Sequence, residues 1–406
     1  MAFRWYNPLS WRMFGYNDPV SGNYVELSVG GKGTNAGVTI TPDNAITIPM
    51  VWSCIKILSE TVSGLPLKLY EDVGGERSLV SKEKSADRRQ LRLLRKPNPV
   101  ITRLNFLKAM VVNMALCGNG FAMIQRNSSG EWIGTIPVSV ESVDVDQSDE
   151  GIGLIYYVNI QGARIPVSPE NMLHFKLFSK DGIIGLSPVE AMAETMGSAK
   201  AAQDWSSRFM RKGGFTGGYV VYKDFLTKEQ QAQIMAKFPD VRAGDTESIG
   251  KMGILQGGPT IIPAGLSQKD SQFIESRQFS EEELAGIWGV PLFLANRASK
   301  TSIMGSNLEQ QVGGFVKFGV KPYLDAIEDE FNEKIFGGTN RFVEFVVEGI
   351  LRGDSAARAS YYQSALGGSG GSGWMSIDEV REKENLPPLG GDYGRVTRWE
   401  MQSNVD

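Results

Sequence analysis

Apolar residues recur at three-to-four spacing near the start of the chain. Val51, Cys54, Ile55, Leu58 and Val62 share one face, which predicts a helix over 49–63. Leu65–Glu71 alternates as a strand. Asn105–Leu116 is a second predicted helix, with Phe106, Met110, Val111 and Met114 along one side. Phe121–Arg126 and Glu131–Ile136 flank Asn127-Ser-Ser-Gly130, the pattern of a hairpin and its turn. Ile155–Ile160 and Met172–Phe178 add further strands. Helices and strands in this mixed order predict an α+β fold.

The middle of the chain is punctuated by helix caps. Ser187-Pro-Val-Glu190 combines an N-cap, a proline at N1 and an acid at N3. Val189, Met192, Met196, Ala199, Ala202, Trp205 and Phe209 then predict one stripe, ended by Gly213. A compact insert follows, with strands at Tyr219–Tyr222 and Lys251–Gln256 and a helix from Thr227 to Phe238 opened by a T-x-x-Q box. Ser267-x-x-Asp270 opens another helix. A second box, Ser280-x-x-Glu283, predicts that it breaks near 280 and is capped again; an unbroken helix with polar flanks is the alternative.

Residues 292–305 form a loop with two basic groups, Arg297 and Lys300. Ser306-x-x-Glu309 then caps the longest predicted helix, to about 336, with Pro322 expected to kink it. Arg341–Val347 is a strand and Asp354–Leu366 a helix. The run Gly367-Gly-Ser-Gly-Gly-Ser-Gly373 has the composition of a flexible link. Ser376-x-x-Glu379 caps a last helix, stopped by Pro387 and Pro388. Residues 1–45, aromatic and glycine-rich, are expected to order only against a neighbour.

Composition narrows the chemistry. The chain has 406 residues, 42 Lys and Arg against 46 Asp and Glu, and a net charge of -4, so it is not a globally basic nucleic-acid binder. One histidine, His174, and two cysteines, Cys54 and Cys117, do not suggest a zinc site or a disulfide framework, leaving open at most a lone 54–117 bridge. No signal peptide and no apolar span of membrane length is visible, which implies a soluble chain made in the cytoplasm.

Catalytic motifs are missing from the sequence. No P-loop pattern occurs, and Val29-Gly-Gly-Lys-Gly33 lacks the strand–helix frame of a nucleotide loop. His174 reads as a structural residue on a strand. Glu281–Glu283 reads as acid feeding the positive end of a helix, and Asp325 with Glu328 as a solvated or intersubunit face. No catalytic, metal or cofactor site is expected.

Several segments, in order along the chain, resemble the HK97-like (lambdoid) class of tailed-phage portal proteins. They are Val51-Trp-Ser-Cys-Ile-Lys56 with Ile57–Pro66, Leu94-Arg-Lys-Pro-Asn-Pro99, Leu116-Cys-Gly-Asn-Gly-Phe-Ala122 and Asp181-Gly-Ile-Ile-Gly-Leu-Ser-Pro188. Phe279–Pro291, Asn307-Leu-Glu-Gln-Gln311 and Ser376–Pro387 continue the series. The resemblance implies a portal fold. It divides the chain into an arm (1–45), a mixed α/β wing (46–186), a first stem helix (187–212), a small α/β clip (213–266) and a second stem helix (267–291). A tunnel loop (292–305), a long kinked wing helix with its strand (306–349), a helical crown (350–390) and a flexible tail (391–406) follow.

The implied function is a ring, usually of twelve copies, at one capsid vertex of the virion. Double-stranded DNA passes its channel without sequence preference at packaging and ejection. The implied partners are the large terminase subunit, the major capsid protein or scaffold, and a head-completion adaptor. Carried onto this sequence, the tunnel loop holds Arg297, Ser299, Lys300, Thr301 and Ser302; the helix kink Phe279, Ser280 and Glu283; and the terminase-facing clip Tyr219, Tyr222, Lys223 and Phe238. Another phage structural or scaffold protein is the alternative reading.

Overall fold

The structure is a computed structural model. It describes residues 24–25, 31–80, 85–147, 154–211, 218–222, 227–237, 252–256, 260–263, 281–295, 311–347, 355–368, 373–384 and 386–397. They fall into two compact units, one within Met1–Thr301 and Phe318–Phe345, the other within Ser302–Lys317 and Val346–Asp406.

In the first unit the two strongly periodic helices form as expected. Pro49–Gly64 starts with proline in its first turn and buries Val51, Cys54, Ile55, Leu58 and Val62. It packs against Arg103–Cys117, which buries Phe106, Met110, Val111 and Met114. Fully burying each such side chain is worth about 1.5–3 kcal/mol. A three-stranded antiparallel sheet packs against Arg103–Cys117, with Asn119–Arg126 at its centre between Met172–Lys176 and Trp132–Val138. The hairpin turn is set by Asn127, whose Oδ1 accepts from the N–H of Ser129 and Glu131, and by Gly130 at φ 78°. The helix Lys321–Lys334 closes the core. Its Phe331 lies 6.0 Å from Phe175 and 6.4 Å from both Phe106 and Trp132, ring centre to ring centre.

The strands expected near 65–71, 155–160 and 341–347 form, and elements that the pattern did not predict pair with them. Leu67–Val73 pairs with the unpredicted Glu76–Leu79 and with Arg341–Phe345. Val143–Gln147, Leu154–Ile160 and Ala163–Val167 form a second sheet, joined by Tyr24–Val25. A helix, Ser85–Arg95, lies against the first sheet.

The last third of the expected arm belongs to the fold without a neighbouring copy. Lys32–Gly33 and Thr39–Ile40 pair, Thr41 and Asn44 cap Pro42–Ala45 reciprocally, and Ile40 and Ala45 are buried. The helix expected from 187 is interrupted. Pro188–Ala191 is one turn, Met192 leaves helical geometry (φ -107°, ψ 25°), and Ala193–Arg211 continues. The break rotates Met192 off the stripe, so it is exposed while Val189 and Met196 are buried.

Among its described residues the insert has three strands rather than two. Gly218–Tyr222 runs parallel to Met252–Gln256 and antiparallel to Thr260–Pro263. The parallel pair needs a crossover, which Lys228–Lys237 provides. Thr227 and Gln230 cap it reciprocally, at 3.3 and 3.0 Å. The third strand was hidden by its short run directly after Gly257-Gly-Pro.

The irregularity expected at Pro322 lies one turn earlier. Phe315–Val320 is π-helical, and Lys321–Lys334 resumes the α form with the proline in its first turn. A proline cannot donate to the preceding turn and its ring crowds that turn's carbonyl, and the wider π turn relieves both.

In the second unit, Ser355–Ala365 ends at Gly367 (φ 78°), and Ile377–Lys383 is opened by a reciprocal box. The Ser376 N–H donates to Glu379 at 2.7 Å, and the Glu379 N–H to Ser376 at 3.3 Å. The glycine-rich run is not a spacer between separated parts. The Met375 N–H donates to the Ala365 carbonyl at 3.1 Å, and a Cβ on Gly373 would collide with Leu366. Both ends therefore meet at one helix terminus. The start of the tail is held as well. Asp378 accepts from the N–H groups of Leu389 and Gly390, and Asp392–Arg395 is helical.

Candidate functional site

The last four carbonyls of any α-helix lack partners within it. In Arg103–Cys117 each is claimed from a different place. Met114 O accepts from the Gly118 N–H at 2.9 Å, and Cys117 O from Asn119 Nδ2 at 2.9 Å. Leu116 O accepts from Ser187 Oγ at 2.9 Å, and Ala115 O from Trp288 Nε1 at 2.8 Å. Ser187 is also the N-cap of the next helix, accepting from the Glu190 N–H at 3.2 Å. Trp288 directly follows the helical stretch 281–287. One buried helix end thus roots both the helix that leads into the three-stranded insert and the helical stretch that comes back from it.

Glycine makes the approach possible. Gly118 sits at φ 74°, and a Cβ there would strike the Leu186 carbonyl. A Cβ on Gly185 would strike Gly118 O. Asn119 stitches the gap. Its Nδ2 donates to Gly185 O, and its Oδ1 accepts from the Gly185 N–H, both at 2.7 Å. Asp181 shapes the incoming turn by accepting from the N–H of Ile184 (3.0 Å) and Ile183 (2.8 Å). These hydrogen bonds hold its carboxyl below the ordinary carboxylate range.

His174 braces the junction from the sheet. Nε2 donates to Asn119 Oδ1 at 3.0 Å, since that oxygen already faces a backbone donor, and Nδ1 accepts from Tyr156 Oη at 3.1 Å. The ring lies on Phe121, 4.3 Å between centres. Burial, with lesser contributions from Lys176 and Lys334, holds its pKa well below the ordinary histidine value, so it stays neutral. This agrees with the structural reading of His174. Burial also raises the thiols of Cys54 to about 12 and Cys117 to about 11, and both are free.

Most residues singled out from the sequence do not meet at this junction. Arg297, Ser299, Lys300, Thr301, Ser302, Phe279, Ser280, Lys223 and Phe238 lie outside the described residues. Glu283 is exposed in the first turn of 281–287. Tyr219 and Tyr222 lie on the central strand of the insert, opposite Gly253 and Gln256 on the parallel strand. Asp325 pairs with Lys321, and Glu328 accepts from the Phe345 N–H at 2.7 Å, so each is accounted for by local structure. Among the described residues no group of His, Cys, Asp or Glu could hold a metal ion, and no helix is long and apolar enough to cross a membrane. The sequence did not point to Asn119, Ser187 or Trp288 as partners of one helix end. Each does sit inside one of the portal-like motif segments.

The profile of the phage portal protein family matches residues 49–385, and the chain belongs to that family, in its HK97-like class. It is 29% identical over 361 residues to the portal protein of Enterobacteria phage HK97, covering 87% of this chain and 82% of that one. Its fold is similar to the neck of a native gene transfer agent (GTA) particle computed with C12 symmetry. The TM-score is 0.58 at 21% identity, covering 86% of this chain and 95% of that one. A portal protein of the HK97 family from Corynebacterium diphtheriae is also similar, with a TM-score of 0.54 at 18% identity, over 78% of this chain and 98% of that one. The chain is therefore a viral structural protein of the portal vertex, an oligomeric ring component used in genome packaging.

Proposed function

We propose that twelve copies of this chain close the ring at one capsid vertex and pass double-stranded DNA through its channel, without sequence preference, during packaging and ejection. The large terminase subunit docks on the insert at 213–266, a head-completion adaptor replaces it, and the major capsid protein or scaffold surrounds the ring. On this reading 46–186 is the wing, 187–212 and 267–291 are the stem helices, 292–305 is the tunnel loop, and 350–390 is the crown.

The junction at Cys117 is the observation that carries the reading. Two stem helices flanking a clip must leave and re-enter the wing side by side. Ser187 and Trp288 are tied to neighbouring carbonyls of one helix. The C12 symmetry of the similar GTA neck supports twelve copies.

Native mass and symmetry of the assembled particle test the proposal. Twelve chains of 44.5 kDa give a closed particle of about 530 kDa. A monomer at micromolar concentration in every salt tried would refute it. Removing 215–262 should leave the rest folded and abolish terminase docking; undiminished docking would refute the clip assignment.

A further inference from the structure

The helix Ser85–Arg95 carries a feature that the channel reading leaves unused. Its inner face is firmly held. Asp87 is buried and makes a 2.9 Å charge contact with Arg341, and Gln90 Oε1 accepts from the same guanidinium at 2.7 Å. Leu93 and Leu94 are buried beneath it. Just past its end, Asn98 Nδ2 donates to Thr135 O, and the Thr135 N–H to Pro97 O, both at 2.9 Å.

The opposite face is basic. Arg88, Arg92, Arg95 and Lys96 are all exposed, and helical spacing puts them within one arc of the surface. No ion pair among the described residues engages any of the four, whereas the adjacent Arg89 is paired with Glu131. The helix dipole accounts for cations in the last turn. It opposes one near the start, where Arg88 stands.

We propose that this face is a second contact for the phosphates of double-stranded DNA, separate from the loop at 292–305. Arg88 to Lys96 spans about 12 Å of helix, enough for roughly three to four phosphates at the 3.4 Å repeat of one strand. The exposed arc of the helix holds cations without an exposed apolar residue among them. A protein partner would need an apolar centre there, and a membrane would need the apolar side, which is buried against the sheet. The inference rests on the reading of the chain as a DNA-handling ring.

The test uses the full chain and a labelled random-sequence duplex of about 30 base pairs, titrated across salt concentrations. Native mass is measured in parallel. Replacing all four residues by Ala should weaken binding more than tenfold at low salt. It should also lower the slope of log affinity against log salt by about 0.9 for each phosphate that is no longer neutralised. The matching set with Lys at the three Arg positions should keep the slope, because point charges suffice. Unchanged affinity and slope in the Ala set would overturn the proposal. So would loss of ring assembly, which would make the face an interface between copies, or tighter binding of polyglutamate than of duplex, which would make the partner an acidic protein. A ring that forms with an unaltered slope sinks this inference alone; a monomer whose Ala set still lowers the slope sinks the ring and leaves the DNA-binding face standing.

Discussion

The indole N–H of Trp288 donates to the carbonyl of Ala115, 173 positions earlier in the chain. It is the longest reach in sequence among the four caps of the 103–117 helix, and it is buried. Trp288→Phe keeps a buried aromatic ring but loses the indole N–H together with two ring carbons, leaving Ala115 O without this donor. A loss of about 1–3 kcal/mol is expected, against about 3–5 kcal/mol for Trp288→Ala. Urea denaturation of both variants checks the order; a Phe variant as stable as wild type would mean that packing, not the hydrogen bond, is what Trp288 contributes, and equal losses would mean the reverse.

Gly118→Ala and Gly130→Ala separate crowding from backbone strain. Both positions have positive φ, 74° and 78°, but only a Cβ at Gly118 meets another atom. Gly130→Ala should cost about 1 kcal/mol. Gly118→Ala should cost several times that, or prevent folding, because Leu186 must move and draw Ser187 off its carbonyl. Comparable denaturation midpoints for the two would contradict the close approach.

His174 gives a pH signature that no other histidine can mask, since the chain has one. Its folded pKa is depressed by burial. Below about 6.5 the unfolded chain takes up a proton that the folded chain refuses. Stability is therefore complete above that value and falls as pH drops, by up to about 1.4 kcal/mol per unit. Glu328, whose carboxyl pKa is raised by burial, acts in the opposite sense: its contribution is present at low pH and fades as pH rises through its folded value. Glu328 is unchanged in His174→Gln, so the variant should lose less stability than wild type between pH 7.5 and 5. Parallel curves would rule out the neutral brace.

Arg297 and Lys300 are expected to act on passing phosphates without reading sequence. Replacing both by Ala should leave folding intact and change the length or retention of packaged DNA, with the Glu pair more severe. Packaged DNA length per particle, at matched assembly yield, is the readout; identical values for all three proteins would remove the charges from any channel role.

The sequence was legible where one local rule governs. Period 3.6 marked Pro49–Gly64 and Arg103–Cys117, and the boxes at Thr227 and Ser376 appear with both reciprocal bonds. Ser85–Arg95 escaped because its buried face is made partly of Asp87 and Gln90, which have Arg341 as a distant partner. The junction was illegible for a related reason. Its contacts join side chains to backbone carbonyls across 71 and 173 positions, and a carbonyl has no signature in the sequence. What could be read there was the family's motifs, whose shared meeting point only the fold reveals.

The glycine-rich loop of the second unit offers an engineering handle. The chain leaves at Gly367 and is back on the same helix end by Met375, so the distance between its two ends does not depend on how many residues lie between. Each doubling of such a loop costs only about 0.6 kcal/mol in closure entropy. A peptide epitope or a fluorophore site spliced between 369 and 372 should therefore leave the flanking helices where they are, and would give one label per subunit for counting copies in an intact particle.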